Sequence, residues 1–190
     1  ASCESDVHRV LLPEAIPFIS YPWGWSFTQL QDAALLTLEV AWRALEHGMV
    51  LKDANAFNVQ FIGSHPIFID TLSFEMYEEG QPWVAYQQFC EFFLAPLELE
   101  ARIDPSLAQL FRTNLDGVPL GLASKLLPLK TRIMPSTALH IHAHARAQKR
   151  YEHAGDAARG VRVPKQNMFA LLDSLRTAVK RIPWSPPSTE

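Results

Sequence analysis

An α+β, mostly helical domain is the fold class this 190-residue sequence predicts, and three observations carry it. Apolar residues recur at helical spacing from Leu30 to Leu45, and further helical stretches follow Pro82. Between them, Val59-Gln60-Phe61-Ile62 and Ile67-Phe68-Ile69 are joined by Gly63-Ser64-His65-Pro66, which reads as a β-hairpin. Hydrophobic residues make up 48% of the chain and aromatic residues 11%, which suits one domain with a substantial core and excludes a disordered chain.

The elements follow in order. Residues 10 to 21 are short apolar runs broken by Pro13 and Pro17, so residues 1–25 are expected to form an edge strand and a hinge-like connector. Ser26-Phe27-Thr28-Gln29 fits a capping box opening a helix through Leu30, Ala33, Ala34, Leu38, Ala41 and Leu45, and Gly48 closes it. After the hairpin, Pro82 to Leu99 reads as an aromatic-rich helix interrupted near Pro96. Asp104-Pro105-Ser106 starts another, running to about Leu115, and Asp116-Gly117 turns the chain. A short helix from Pro119 to Leu127 and a basic connector from Lys130 to Pro135 come next. Ala138 to Tyr151 and Asn167 to Arg181 are further helices around a Gly/Arg-rich loop. The main domain thus spans residues 26–182. Residues 183–190 read as a linker toward a further domain, and both ends of the chain look cut.

The hairpin places three polar residues together. In an antiparallel pair, the residue before the first strand and the residue after the second emerge at the same end. Asn58 and Asp70 are therefore expected to be neighbours, with Asp53 on the loop feeding them. Two carboxylates and an amide oxygen at one spot suit a hard cation such as Mg²⁺, carried in by a polyphosphate.

The order Asp-x-x-x-x-Asn, hairpin, hydrophobic residue, Asp resembles the catalytic core of the protein-kinase-like fold. That resemblance implies Asp53 as the base that accepts the substrate hydroxyl proton, and Asn58 and Asp70 as metal ligands. Lys52 would help orient a phosphate. The departures are Leu51-Lys52-Asp53 in place of His-Arg-Asp and Asp70-Thr71-Leu72 in place of Asp-Phe-Gly. A glycine-rich phosphate loop and a Val-Ala-Ile-Lys strand are both absent. The chain thus looks like a kinase-like C-terminal lobe, with a catalytic-loop β-hairpin and following helices.

A more specific resemblance rests on three runs: Ile19 to Phe27, Leu51 to Phe61 and Phe68 to Glu75. They are similar to bacterial proteins described as class I SAM-dependent methyltransferases or nodulation-protein-like, in which a kinase-like half precedes a methyltransferase domain. The similarity runs from about Pro17 to about Trp184. It implies ATP and Mg²⁺ as ligands here, with an upstream N-lobe and a C-terminal methyltransferase domain as partners in the same protein. No G-x-G occurs among the eight glycines, so SAM is expected only in the methyltransferase domain outside this chain. The implied activity is phosphorylation of a hydroxyl on a small molecule or glycan. Two other readings stay open: an inactive pseudokinase that scaffolds the methyltransferase or presents substrate to it, and a purely helical adaptor in which the Asp/Asn/Asp pattern is coincidence, which a missing hairpin between Asn58 and Asp70 would support.

Other constellations have plainer readings. In His140-Ile141-His142-Ala143-His144 only His140 and His144 share a helix face, without an acidic or cysteine ligand nearby, so solvated or packed histidines are expected. Trp23, Trp25 and Phe27 read as core in preference to an adenine pocket. Lys125, Lys130, Arg132, Arg146, Lys149 and Arg150 read either as a basic patch or as a solvated surface. The formal charge of −3 gives no electrostatic case for nucleic acid or an anionic membrane. No apolar run reaches the ~18 residues of a membrane span, and no signal-peptide pattern opens the chain. With only Cys3 and Cys90, a disulfide framework is not expected, and the cytoplasm is the default location.

Overall fold

A computed structural model describes residue 12, residues 14–147 and residues 163–184, and these are α+β and mostly helical. Helix α1 (Phe27–Glu46) begins where the sequence places its cap. Gln29 N–H donates to Ser26 Oγ at 3.3 Å, and Ser26 N–H donates back to Gln29 Oε1 at 2.9 Å. Its apolar stripe is buried, and Gly48 at φ +75° reverses the chain.

Four short strands follow. β1 (Met49–Leu51) pairs antiparallel with β4 (Phe74–Met76), and β2 (Val59–Ile62) pairs antiparallel with β3 (His65–Phe68). The hairpin link is shorter than its four candidate residues. Ile62 sits opposite His65, so Gly63-Ser64 alone make the turn, with Gly63 at φ +61° as a two-residue turn with a leading glycine requires. Pro66 then falls inside β3, which it can occupy because β3 is an edge strand with one neighbour. The β1–β4 pairing has no local sequence signal; it clamps residues 52 to 73 into one closed excursion.

Residues 1–11 and 13 of the expected edge strand and connector lie outside the described residues, and the described part before Pro22 is held by a different device. Residues 14–21 form no strand, and the side-chain amide of Gln60 bonds the chain there instead. Ser20 N–H donates to Gln60 Oε1 at 2.9 Å, and Gln60 Nε2 donates to Ser20 O at 3.0 Å. Pro17 and Pro22 remove backbone donors on both sides of Ser20, so a ladder has little to build on.

The core centres on one continuous helical stretch: α2 (Tyr86–Phe89), a π-helical turn (Cys90–Leu94) and α3 (Ala95–Arg102). Every residue from Phe92 to Glu100 is buried. Pro96 does not interrupt it. The turn before the proline widens so that Ala95 N–H bonds Cys90 O, five residues back, and this makes room for the pyrrolidine ring without breaking the axis.

Asp104 caps the next segment by accepting Ser106 N–H at 2.8 Å, but Pro105–Gln109 is a 3-10 turn that becomes α4 (Leu110–Thr113) only later. Gly117 follows at φ +96°. α5 (Leu120–Leu126), a 3-10 turn (Leu129–Ile133), α6 (Pro135–Thr137) and a second π-helical stretch (Ala138–Ala143) complete that side. The final described helix (Lys165–Lys180) lies along α1. There Gln31 Nε2 donates to Val179 O at 2.9 Å, Arg176 pairs with Glu39 at 2.8 Å, and Phe27 stacks on Trp184 at 4.3 Å. The expected end of the Ala138 helix at Tyr151 and most of the Gly/Arg-rich loop lie outside the described residues.

Candidate functional site

Within the clamped excursion Asn58 is joined to Asp70 through Ser73 and reaches the main-chain carbonyl of Asp53. β1 delivers Lys52 and Asp53 to the loop, and Lys52 N–H donates to Ser73 O at 2.8 Å, closing the base of the site. Asp53 Oδ1 accepts from Asn55 N–H at 3.1 Å and from Asn55 Nδ2 at 2.7 Å, an Asx-type turn that fixes the carboxylate. Asn55 Oδ1 in turn caps the 3-10 turn Ala56–Asn58 by accepting Asn58 N–H at 3.1 Å. The loop is held from behind by two residues the sequence did not single out. Gln88 Oε1 accepts Ala54 N–H at 2.6 Å, and Trp83 Nε1 donates to Leu51 O at 2.7 Å.

Asn58 is buried, and its Nδ2 reaches Asp53 O and Ser73 Oγ, each at 3.4 Å. Ser73 Oγ also donates to Asp70 Oδ2 in a short hydrogen bond, and Leu72 N–H donates to Asp70 Oδ1 at 2.8 Å. The hairpin brings the two ends together as expected, with Ile69 N–H donating to Asn58 O at 2.8 Å. A missing hairpin would have supported the adaptor reading, and the hairpin is present. Ser73 is the residue that sequence reasoning missed, since a serine three positions after an Asp carries no distinguishing signal; its burial is what joins Asn58 to Asp70.

The electrostatics favour a charged Asp70. The Ser73 hydroxyl and the Leu72 N–H hold its carboxyl below the usual range, against a small cost of desolvation and with help from the Lys52 charge. Lys52 itself is exposed. Among the described residues, neither Asp53 Oδ2 nor Asn58 Oδ1 accepts a hydrogen bond. Carboxylate and amide oxygens are the donor chemistry a hard cation takes, although both Asp70 oxygens already accept hydrogen bonds from Ser73 and Leu72. Among the described residues no group of three or more His, Cys, Asp or Glu side chains is placed to hold a metal, and this site, with two carboxylates and an amide, lies below that number.

The histidine run is packed. Tyr86 OH and His140 Nδ1 lie 2.8 Å apart, and His140 Nε2 and Ser174 Oγ 3.1 Å apart. His142 is held at 2.8 Å by Ser124 Oγ on one ring nitrogen and by Thr131 Oγ1 on the other. His144 stacks on Tyr86 at 5.0 Å. The aromatic group near the connector is also packed. Trp25 and Phe27 are core, Trp25 Nε1 donates to Ser20 Oγ at 2.8 Å, and Trp23 stacks on Tyr21 at 4.8 Å.

The chain is similar to a curated protein, Nodulation protein NoeA of Rhizobium meliloti (strain 1021). The two are 38% identical over 177 residues, a match covering 90% of this chain and 37% of that protein. The chain therefore spans little more than a third of the relative's length. No family model matches the sequence, and no solved structure matches it. Among the described residues no helix is long and apolar enough to cross a membrane.

Proposed function

We propose that this chain is a kinase-like module that binds ATP with Mg²⁺ and serves phosphoryl transfer to a hydroxyl on a small molecule or glycan. The observation that carries the reading is that Ser73 joins Asn58 to Asp70 while the Asn58 amide also reaches the Asp53 carbonyl, at the mouth of a hairpin reached from a long helix. Asn58 and Asp70 would hold Mg²⁺, which when bound neutralises charge on phosphate oxygens. Asp53, oriented by Asn55, would accept the hydroxyl proton as the new O–P bond forms and the bond to the ADP leaving group breaks. Lys52 would lend positive charge to a phosphate. An N-lobe upstream and a methyltransferase domain downstream belong to this reading as partners within a longer protein, with SAM confined to the latter.

One observation favours the scaffold alternative. Both Asp70 oxygens already accept hydrogen bonds from their own loop, at Ser73 and Leu72. A carboxylate committed in this way can serve a structural turn in a pseudokinase that packs on the methyltransferase. Calorimetry of ATP with Mg²⁺ on the full-length protein, with Asp70→Ala as comparison, separates the two. Metal-dependent binding that the variant weakens about tenfold or more supports the nucleotide site. Absence of binding in the intact protein sinks it and leaves the scaffold.

A further inference from the structure

Charge in this chain is unevenly distributed along its length. Between Gly117 and Tyr151 there are six Lys and Arg residues and no Asp or Glu, leaving eleven basic and all twenty acidic residues for the rest. The formal charge of −3 averages over this asymmetry and does not describe the local face.

The structure turns that sequence feature into a surface. In the 3-10 turn Leu129–Ile133, only Thr131 is buried, tied to Pro128 O at 2.7 Å and to the buried His142 at 2.8 Å. With its one inward residue pinned, the turn must project the other four. Three residues per turn align Leu129 with Arg132 and Lys130 with Ile133, so each outer edge carries one aliphatic and one basic side chain. Leu129 and Ile133 are 73% and 85% exposed, an arrangement that a merely solvated charged surface does not need.

The neighbouring elements extend the same composition. Arg132 directly follows Thr131, which is bonded to the buried His142, and Arg146 lies four residues beyond that histidine on its helical stretch. Ser124, bonded to the other nitrogen of that ring, brings the exposed Lys125 and Leu126 at the end of α5. Leu139, Ala143 and Arg146 are exposed at successive spacings of four and three, one outward face of the following helical stretch. No exposed aromatic ring accompanies them between Gly117 and Ala147, so base stacking has no platform here.

We infer that this face, centred on Leu129, Lys130, Arg132 and Ile133, docks on an anionic lipid surface. The aliphatic tips would enter the headgroup boundary while the flanking Lys and Arg side chains meet lipid phosphates. The occupant follows from charge complementarity together with exposed aliphatic area, the two contributions that drive interfacial binding. The inference is independent of whether the Asp53 site transfers phosphate.

Sedimentation of the full-length protein with vesicles tests it. Vesicles of phosphatidylcholine alone are compared with vesicles containing an equal share of phosphatidylglycerol. The protein is expected to sediment with the anionic vesicles only, and more weakly as salt is raised. Lys130→Glu with Arg132→Glu should lower partitioning about tenfold or more, and Leu129→Asp with Ile133→Asp by a similar factor. All four side chains are exposed, so unchanged circular dichroism and melting temperature are expected in both double variants. Absence of sedimentation, equal binding to neutral vesicles, or variants that bind like the parent would each overturn the inference. So would oligomers dispersed by Leu129→Asp with Ile133→Asp in a protein that ignores vesicles, which would assign the face to a second copy of the chain.

Discussion

Ser73 shows how much one buried hydroxyl does at the residue scale. It donates to Asp70, receives from the Asn58 amide, and its carbonyl accepts Lys52 N–H. Ser73→Ala removes the largest influence holding the Asp70 carboxyl down, so its pKa should rise toward the ordinary aspartate value in an NMR titration. Because Asp70 is depressed in the folded state, its contribution to stability is present above the unfolded-state value and fades as pH falls through the folded one. The variant should show less of that acid-side loss, and at neutral pH should be about 1 kcal/mol less stable by urea unfolding. The nearness of Asn58 to Asp70 was legible in the sequence because hairpin geometry alone brings them to one end. The serine between them was not, since only burial distinguishes it from other loop serines.

Among the elements, the turn at Gly117 is the most constrained. Its φ of +96° suits glycine, and a Cβ added there would come within 2.9 Å of Glu91 Cβ on the π-helical turn. The approach is held by Val118 N–H donating to Glu91 O at 2.9 Å. Gly117→Ala combines left-handed strain with a clash and should cost about 3 kcal/mol or more in chemical denaturation, against a few tenths for a typical exposed position. Asp116-Gly117 was readable as a turn from residue type. That the turn touches the central helix was not, because the contact joins positions far apart in sequence. Pro96 teaches the same lesson in reverse. Proline chemistry predicts a break, but the widened turn before it supplies the missing room, and burial on all sides supplies the reason to stay helical.

Stability of the whole molecule should depend on pH through two buried groups that pull in opposite directions. Burial, with the charge of His144, lowers the His140 imidazole to about 4 from an ordinary 6.5. The unfolded chain then binds more protons between those values, and stability falls as pH drops through that window. Burial raises Glu100 to about 7 from 4.5, so the folded state binds more protons there and stability falls as pH rises from 4.5 through 7. Glu100→Gln should therefore stabilise the protein by about 2 kcal/mol near pH 8 and by little near pH 5, read by thermal melts across pH. An unchanged alkaline limb in that variant would show that Glu100 finds a counter-charge.

Local chemistry alone determined the α+β, mostly helical class, the capped helix from Ser26 to Gly48, the hairpin, and the meeting of Asn58 with Asp70. Each depends on periodicity, capping or turn residues within a few positions of one another, where sequence spacing and spatial distance agree. Tertiary structure decided the rest: the β1–β4 clamp, the Gln60 amide standing in for a strand, the packing of His140 and His142, and the outward thrust of Leu129 and Ile133. All of these depend on which distant side chain satisfies a buried polar group or covers an apolar one. Residue spacing along a chain does not encode that choice; the closing of the core makes it.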